Sequence, residues 1–346
     1  MNIIVIGAGA IGCYIAGRLA TAGEQITLVG RARTVEPIAL NGLTVTDLQG
    51  FKAHVAADLT AKYLNVASNL KLATQNLFKN QAAPNQKTVV LLCVKGGATL
   101  AAAQEIVDCC PAGISIVSLQ NGVDNVARIK TAAPQMYANA GMVPYNVVMK
   151  TASHVHRTSM GKIYMEQSDV TTELVAIFNA AGLLATTSND MRSVQWGKLL
   201  LNVNNPVNAL SDLPLRDQLL NRDFRYVFAT LQLEALAAIR AAGIEPIQLA
   251  AVKPRVLPYL LKLPNLLFTR LAKKMLHMDA SARSSMWDDI QHGRITEVED
   301  MCGAVVRLAK QVGTKAPCNE AISKLIATHS KGHRLTGSEL RQALKI

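Results

Sequence analysis

Aromatic residues are scarce, 4% of the 346 positions, while half of the chain is hydrophobic. The interior must therefore be packed with aliphatic side chains, which suits a helix-rich α/β protein. The same shortage removes a class of partner. The formal net charge is +12, yet the basic residues are scattered, with one modest cluster at positions 253–274. No aromatics interleave with them as a single-strand platform requires, so nucleic acid is not the expected partner. An anionic cofactor and an anionic small substrate account for the charge more simply. The six cysteines, Cys13, Cys93, Cys109, Cys110, Cys302 and Cys318, contain no C-x-x-C pair. An unpatterned set in a chain this long reads as reduced thiols used as small apolar residues in the cytoplasm. Long unbroken apolar runs are missing as well. Residues 257–268 are interrupted by Pro258, Lys262 and Pro264, which excludes a transmembrane span. The apolar opening is a strand broken by glycines and carries no basic leader, so no export signal and no membrane partner are expected. The histidines His54, His154, His156, His277, His292, His329 and His333 show no ligand spacing beyond His154-x-His156. That pair reads as an alternating strand face, and no metal is expected. Repeats and low-complexity stretches are absent, and the length allows two domains.

The first thirty-odd residues organise the rest. An apolar run, Ile3-Ile4-Val5-Ile6, meets Gly7-Ala8-Gly9-Ala10-Ile11-Gly12. A helical pattern follows, with Ile11, Ile15 and Leu19 on one side, and ends near Gly23. A second apolar run, Ile26-Thr27-Leu28-Val29, leads through Gly30 to Arg31. Strand, turn, helix, strand is the setting in which G-x-G-x-x-G means dinucleotide binding. Gly7 permits the turn, Gly9 admits a pyrophosphate against the backbone, and Gly12 lets helix and strand close up. The helix start offers N–H groups and a partial positive charge to the phosphates. The end of the second strand selects the cofactor. A carboxylate there would hold a ribose 2′-hydroxyl, whereas arginine accommodates a 2′-phosphate. The chain has Arg31 and Arg33 and no acid before Glu36, so the expected cofactor is NADP(H), with Arg31, and with Arg33 as a second candidate, on the 2′-phosphate.

Beyond Arg33 the pattern predicts a hairpin, with 43–46 and 51–55 flanking Leu48-Gln49-Gly50. Residues 59–78 carry a helical period and predict an added surface helix. The continuous run Val89-Val90-Leu91-Leu92-Cys93-Val94 predicts a strand buried on both faces, stopping at Lys95-Gly96-Gly97. A helix over 99–109 follows, then a strand, Ile114-Ser115-Ile116-Val117-Ser118-Leu119, stopping at Gln120-Asn121-Gly122. Ligands of open parallel sheets bind outside the carboxyl ends of the strands, so Lys95 and Asn121 are candidates to face the cofactor. Short strand-like segments over 137–166, a helix near 171–181 and the apolar stretch 183–186 complete a Rossmann-type, doubly wound, mainly parallel domain over residues 1–188. From Asp190 onward only helical patterns occur, predicting an all-α domain over 189–346.

That second half supplies candidate chemistry. Residues 191–205 read as one helix. Lys198, Asn202 and Asn205, at i, i+4 and i+7, form one polar stripe, and Pro206 ends the helix just after it. Trp196, Leu199, Leu200, Leu201 and Val203 surround the lysine. An apolar setting lowers a lysine pKa toward the working pH of a proton donor. Further on stand Arg283-Ser284-Ser285-Met286-Trp287 and Thr296-Glu297-Val298-Glu299. Thr296 and Glu299 have the spacing of a capping box. Glu297 is a first-turn acid that could orient the lysine, and Ser285 could hold a carboxylate.

Taken in order, the glycine motif, Val94-Lys95, Gln120-Asn121-Gly122, Trp196-Gly197-Lys198-Leu199 with Asn202, Ser284-Ser285-Met286 with Asp289, and Thr296-Glu297-Val298-Glu299 resemble the ketopantoate reductases (2-dehydropantoate 2-reductases) over nearly the whole chain. The resemblance implies reduction of 2-dehydropantoate to (R)-pantoate by NADPH, a step toward pantothenate and coenzyme A. It also implies a C-terminal domain like that of 6-phosphogluconate dehydrogenase, with the site in the cleft between the domains. Gly7, Ala8, Gly9, Ala10, Ile11, Gly12, Arg31, Lys95 and Asn121 would hold the cofactor. Lys198 would be the general acid, Glu297 would hold Lys198 and substrate, and Asn202, Asn205 and Ser285 would bind the small anionic 2-oxo acid. A homodimer is compatible with it. The chain departs from the family pattern at Ala282, where asparagine is usual, at Asn205, one residue early, and in the longer stretch 59–84. A reductase of another 2-oxo acid, or a non-catalytic NADP(H) sensor, are the alternatives; the retained Lys198 and Glu297 argue against the sensor.

Overall fold

The computed structural model describes residues 1–57, 62–79, 87–277 and 279–346. Two compact units emerge, Met1–Met191 and Arg192–Ile346.

In the first unit the chain runs β1 (Asn2–Ile6), α1 (Ala10–Thr21), β2 (Ile26–Val29), α2 (Ala32–Asn41), β3 (Leu43–Asp47), β4 (Lys52–Val55), β5 (Leu64–Ala67) and α3 (Leu70–Lys79). It continues through β6 (Thr88–Leu92), α4 (Thr99–Cys109), β7 (Ser115–Ser118), α5 (Asn125–Ala132), β8 (Tyr137–Met142), β9 (Val147–Thr151), β10 (His154–Arg157), β11 (Ile163–Glu166), α6 (Asp169–Ala180) and β12 (Ala185–Ser188). Among the described residues, eight strands form one sheet in the order β12-β11-β8-β7-β6-β1-β2-β5. Every pairing in it is parallel except β8 with β11. The central strands are mostly apolar, and all five residues of β1 are buried, as expected of strands covered on both faces. A second sheet, β4-β3-β10-β9, contains the expected hairpin β3–β4.

Helix α1 packs between the two sheets, touching β1, β2 and β5 on one side and β3, β4, β9 and β10 on the other. Gly17 makes this possible, because a Cβ there would lie 2.3 Å from Val45 Cγ2. The layer also buries charge. Asp47 Oδ2 accepts from Arg157 Nη2 (2.9 Å), Arg18 Nη1 (3.2 Å) and the Tyr14 hydroxyl (3.4 Å). Its Oδ1 accepts from the backbone N–H of Gln49 (2.8 Å) and Phe51 (3.0 Å). Arg18 also donates to the Ala181 carbonyl at 2.7 and 3.1 Å. A buried carboxylate persists only with such complete pairing.

The second unit is helical: α7 (Met191–Asn202), α8 (Asn205–Ser211), α9 (Leu215–Leu220), α10 (Arg222–Ala241), α11 (Leu257–Lys262), α12 (Asn265–Leu271), α13 (Lys273–Leu276), α14 (Ser285–Gln291), α15 (Val298–Gln311), α16 (Pro317–Thr328) and α17 (Gly337–Ala343). The twenty-residue α10 is its axis and packs against α8, α9, α11, α15, α16 and α17. Arg225 of α10, wholly buried, donates to the carbonyls of Leu219, Leu261 and Leu263 and so clamps the α11–α12 segment down.

Three local expectations are corrected, and one helix went unanticipated. Residues 59–78 do not form one helix: the described part contains β5 and then α3, while 58–61 and 80–86 lie outside the described residues. Leu64 fits a helical period in sequence, but it is buried, with Val66, as a sheet residue beside β2. Helix α2 gave no signal because Pro37 interrupts its pattern. The helix expected over 191–205 stops at Asn202, and Pro206 stands in the first turn of α8. Proline has no N–H to give the Asn202 carbonyl, and its ring crowds that carbonyl, so the chain breaks earlier. Finally, α15 starts at Val298 with Glu297 at the N-cap position, where its side chain makes no cap hydrogen bond, and not with Thr296 as the cap. Burying Glu297 and Val298 outweighs the local capping preference.

Candidate cofactor and active site

The first unit assembles its candidate residues along one edge of the sheet. Val29, Ile6, Leu92 and Ser118 are register partners across β2, β1, β6 and β7. The carboxyl ends of four adjacent strands therefore emerge side by side. Arg31 follows β2, the glycine turn follows β1, Lys95 follows β6 and Asn121 follows β7. Gly7 has φ +112°, and a Cβ on it would strike the Cys93–Val94 peptide at 2.7 Å. A Cβ on Gly12 would lie 2.0 Å from the Gly7 carbonyl oxygen. Gly9 differs: nothing lies within 4 Å of its would-be Cβ. The turn is thus closed where helix and strand meet and open at Gly9, and no side chain caps α1. Tight glycines, open backbone and a helix start with no side-chain cap fit a pyrophosphate. Ala8 lies against the second strand's exit, since a Cβ on Gly30 would meet Ala8 Cβ at 2.4 Å. Ala10 and Ile11 open α1. Arg31 is exposed at the N-terminal boundary of α2, and Arg33 is exposed within its first turn.

A network that sequence reasoning missed holds these ends. Gln120, buried, donates from Nε2 to the Val94 carbonyl (3.0 Å) and Thr99 Oγ1 (2.8 Å), and accepts from Ser118 Oγ (2.9 Å). Thr99 Oγ1 donates to Asn125 Oδ1 (3.0 Å), and Asn125 Nδ2 donates to the Asn121 carbonyl (2.7 Å). The loops carrying Lys95 and Asn121 are thereby fixed to each other. No periodicity flags such residues; the only signal was adjacency, with Gln120 next to Asn121.

In the second unit Lys198 lies inside α7, and Asn202 follows one turn later on the same face. Burial pushes the Lys198 ammonium down from 10.5 to about 8. Asn205 begins α8 and donates from Nδ2 to Met301 Sδ at 3.6 Å. Met301 lies one turn beyond Glu297, whose side chain is buried at the head of α15. Ser284 caps α14 by accepting from the Trp287 N–H (3.1 Å) and donates its hydroxyl to the Asn205 carbonyl (3.2 Å). Ser285, exposed, is the first residue of that helix. Asn205 is thus hydrogen-bonded to Ser284, the residue before Ser285, and to Met301 of α15. Half-buried Ala282 donates no side-chain hydrogen bond; its carbonyl accepts from the Leu215 N–H (2.8 Å).

These features define a Rossmann-type α/β unit with an open glycine turn, followed by a helical unit carrying a half-buried lysine with a lowered pKa. Comparison with known proteins agrees. The models of ketopantoate reductase PanE/ApbA and of its C-terminal region match residues 3–169 and 190–330. The chain belongs to the ketopantoate reductase PanE/ApbA family. A 2-dehydropantoate 2-reductase of Mesorhizobium japonicum is 27% identical over 357 residues, covering 94% of this chain and 97% of the relative. Its counterpart from Pyrococcus horikoshii is 25% identical, covering 94% and 96%. A PanE/ApbA-family ketopantoate reductase structure from Ralstonia eutropha superposes with a TM-score of 0.75 at 27% identity, covering 94% of this chain and 97% of that one. A D-mandelate dehydrogenase solved with NADH and anilino(oxo)acetate shares the fold at 18% identity and TM-score 0.74, covering 100% of both chains.

Proposed function

We propose that this chain is a 2-dehydropantoate 2-reductase that converts the 2-oxo group of 2-dehydropantoate to the alcohol of (R)-pantoate with NADPH. When bound, NADPH supplies the hydride. The glycine turn and the start of α1 hold the pyrophosphate, Arg31 meets the 2′-phosphate, and Lys95 and Asn121 serve the ribose and nicotinamide side. Lys198 gives its proton to the carbonyl oxygen as negative charge grows there, and its ammonium stabilises that charge. Glu297 orients Lys198 and a substrate hydroxyl. Asn202, Asn205 and Ser285 hold the polar groups of the acid.

The observation that carries this reading is the Lys198 ammonium. With its pKa near 8 it can both donate a proton and regain one near neutral pH. An ordinary surface lysine near 10.4 donates far less readily. Family membership and the curated 2-dehydropantoate 2-reductases supply the substrate. One departure favours a second reading, another 2-oxo acid: Ala282 offers no side-chain polar group where the family usually has asparagine. Following NADPH consumption with 2-dehydropantoate against a panel of 2-oxo acids decides. The proposal expects the highest kcat/KM for 2-dehydropantoate. A higher value for another acid selects the second reading. Tight NADPH binding with no turnover on any acid leaves a non-catalytic sensor.

A further inference from the structure

Beneath the proposed substrate residues of the second unit lies a buried amide network whose junction is Asn208. This residue of α8 has no exposed surface. Its Oδ1 accepts from the Ser284 backbone N–H at 2.8 Å. Its Nδ2 donates to the Leu213 carbonyl (2.9 Å) and to Gln218 Oε1 (3.4 Å). Gln218, equally buried, exchanges two hydrogen bonds with Asn204, at 2.8 and 3.2 Å. One amide therefore ties together the turn after α8, helix α9 and the N-terminal edge of α14. An outer brace completes the clamp: Trp287 Nε1 donates to Asp212 Oδ1 (2.6 Å) and Arg283 Nη1 to the Asp212 carbonyl (2.8 Å).

The network's position gives it a consequence beyond stability. The Ser284 N–H that Asn208 holds belongs to the residue before Ser285. The Ser284 hydroxyl in turn reaches the Asn205 carbonyl. Asn208 and Ser284 thus fix the first residue of α14 against the first residue of α8. Hydrogen-bonding groups must be held to well under an ångström to act together on one ligand. We propose that Asn208 is a positioning residue: without touching substrate, it sets Ser285 against Asn205 and so sets affinity for the 2-oxo acid. This rests on the reading above that Ser285 and Asn205 hold substrate.

Asn208→Asp and Asn208→Leu test it. An ionised carboxylate still accepts from the Ser284 N–H but repels the Leu213 carbonyl and Gln218 Oε1. Burial beside those oxygens raises the carboxyl above the ordinary 3.9. Once protonated, its single O–H donates to one of those two oxygens, which removes the repulsion there and restores one of the amide's two donations. For N208D the expected KM for 2-dehydropantoate, relative to wild type at each pH, is about tenfold higher at pH ~8 and returns toward wild type as the pH falls to ~5, the scale of one or two hydrogen bonds. Both kcat and the KM for NADPH stay within about twofold. N208L removes all three hydrogen bonds and shows a rise of at least about tenfold at every pH, with no recovery. Ser285→Ala is the control. If it raises the KM and both Asn208 variants do not, the positioning role is wrong and the reading of Ser285 stands. If Ser285→Ala leaves the KM unchanged, the reading of Ser285 falls and the inference with it. Loss of all kinetic constants in step with folded fraction makes Asn208 structural only and overturns the proposal. Should N208L not fold, the pH recovery of N208D decides alone.

Discussion

Replacing Lys198 with methionine should make the protein more stable and less useful. Methionine keeps the unbranched shape, one atom shorter, and removes the charge. The ammonium is held near 8 against 10.5 for an unburied lysine, and the cause is burial, which disfavours the charged form. At 1.36 kcal/mol per pH unit that gap is a cost on the order of 3 kcal/mol. Its sign with pH follows directly. Below pH 8 the lysine is charged in the folded and the unfolded chain, so the whole cost is present. Between 8 and 10.5 the folded protein releases its proton first, and wild-type stability rises with pH. Above 10.5 both forms are neutral and the cost is gone. Methionine also cannot make the hydrogen bonds of the neutral amine, which offsets about 1 kcal/mol of that. K198M should therefore exceed wild type by about 2 kcal/mol at pH ~7, and the difference should close as pH approaches 10.5. Urea unfolding of both proteins at pH ~7 and ~10, with slopes compared so that only midpoint changes count, measures it. A variant no more stable than wild type at neutral pH, or a gain equal at both pH values, would refute burial as the origin of the shift.

Two further outcomes follow from other parts of the structure. Arg31→Ala should weaken NADPH binding by about ten- to a hundredfold, the worth of a charged hydrogen bond to phosphate, and leave NADH binding nearly unchanged; fluorescence titration with both cofactors checks it. Asp47→Asn should destabilise the first unit by about 3–5 kcal/mol, because Arg18 and Arg157 are left buried without their counter-charge. The KM for the 2-oxo acid should not move, and thermal unfolding read beside steady-state kinetics separates the two effects.

What could be read from the sequence was whatever repeats or follows a local rule. Strands β1, β2, β6 and β7 announced themselves as apolar runs, and the glycine spacing located the turn that β1 and α1 form. The hairpin β3–β4 followed from alternation around Leu48-Gln49-Gly50. What escaped was set by tertiary contact. Leu64 and Val66 belong to a strand because β2 lies beside them, a fact absent from their own spacing. Pro206 showed that a helix must stop, but its effect on the carbonyl four residues earlier moved the stop to Asn202. Thr296 had the chemistry of a cap, and the burial of Glu297 displaced it. The supporting amides Gln120, Asn125, Asn208 and Gln218 are isolated polar residues in sequence. Only the folded chain shows that they meet. For the candidate site, the residues that would touch ligands were named from motif and family pattern, and the residues that hold them in place were not.

If the half-buried Lys198 gives up its proton during reduction, its titration shows in the pH dependence of kcat/KM for 2-dehydropantoate at saturating NADPH. With Lys198 near 8, kcat/KM should be level at lower pH and fall about tenfold per pH unit above ~8, reporting the free acid's pKa. Lys198→Ala should abolish that limb together with at least about a hundredfold of the turnover. A profile that stays level to pH ~10, or an alanine variant with the same profile and rate, would rule out Lys198 as the proton donor.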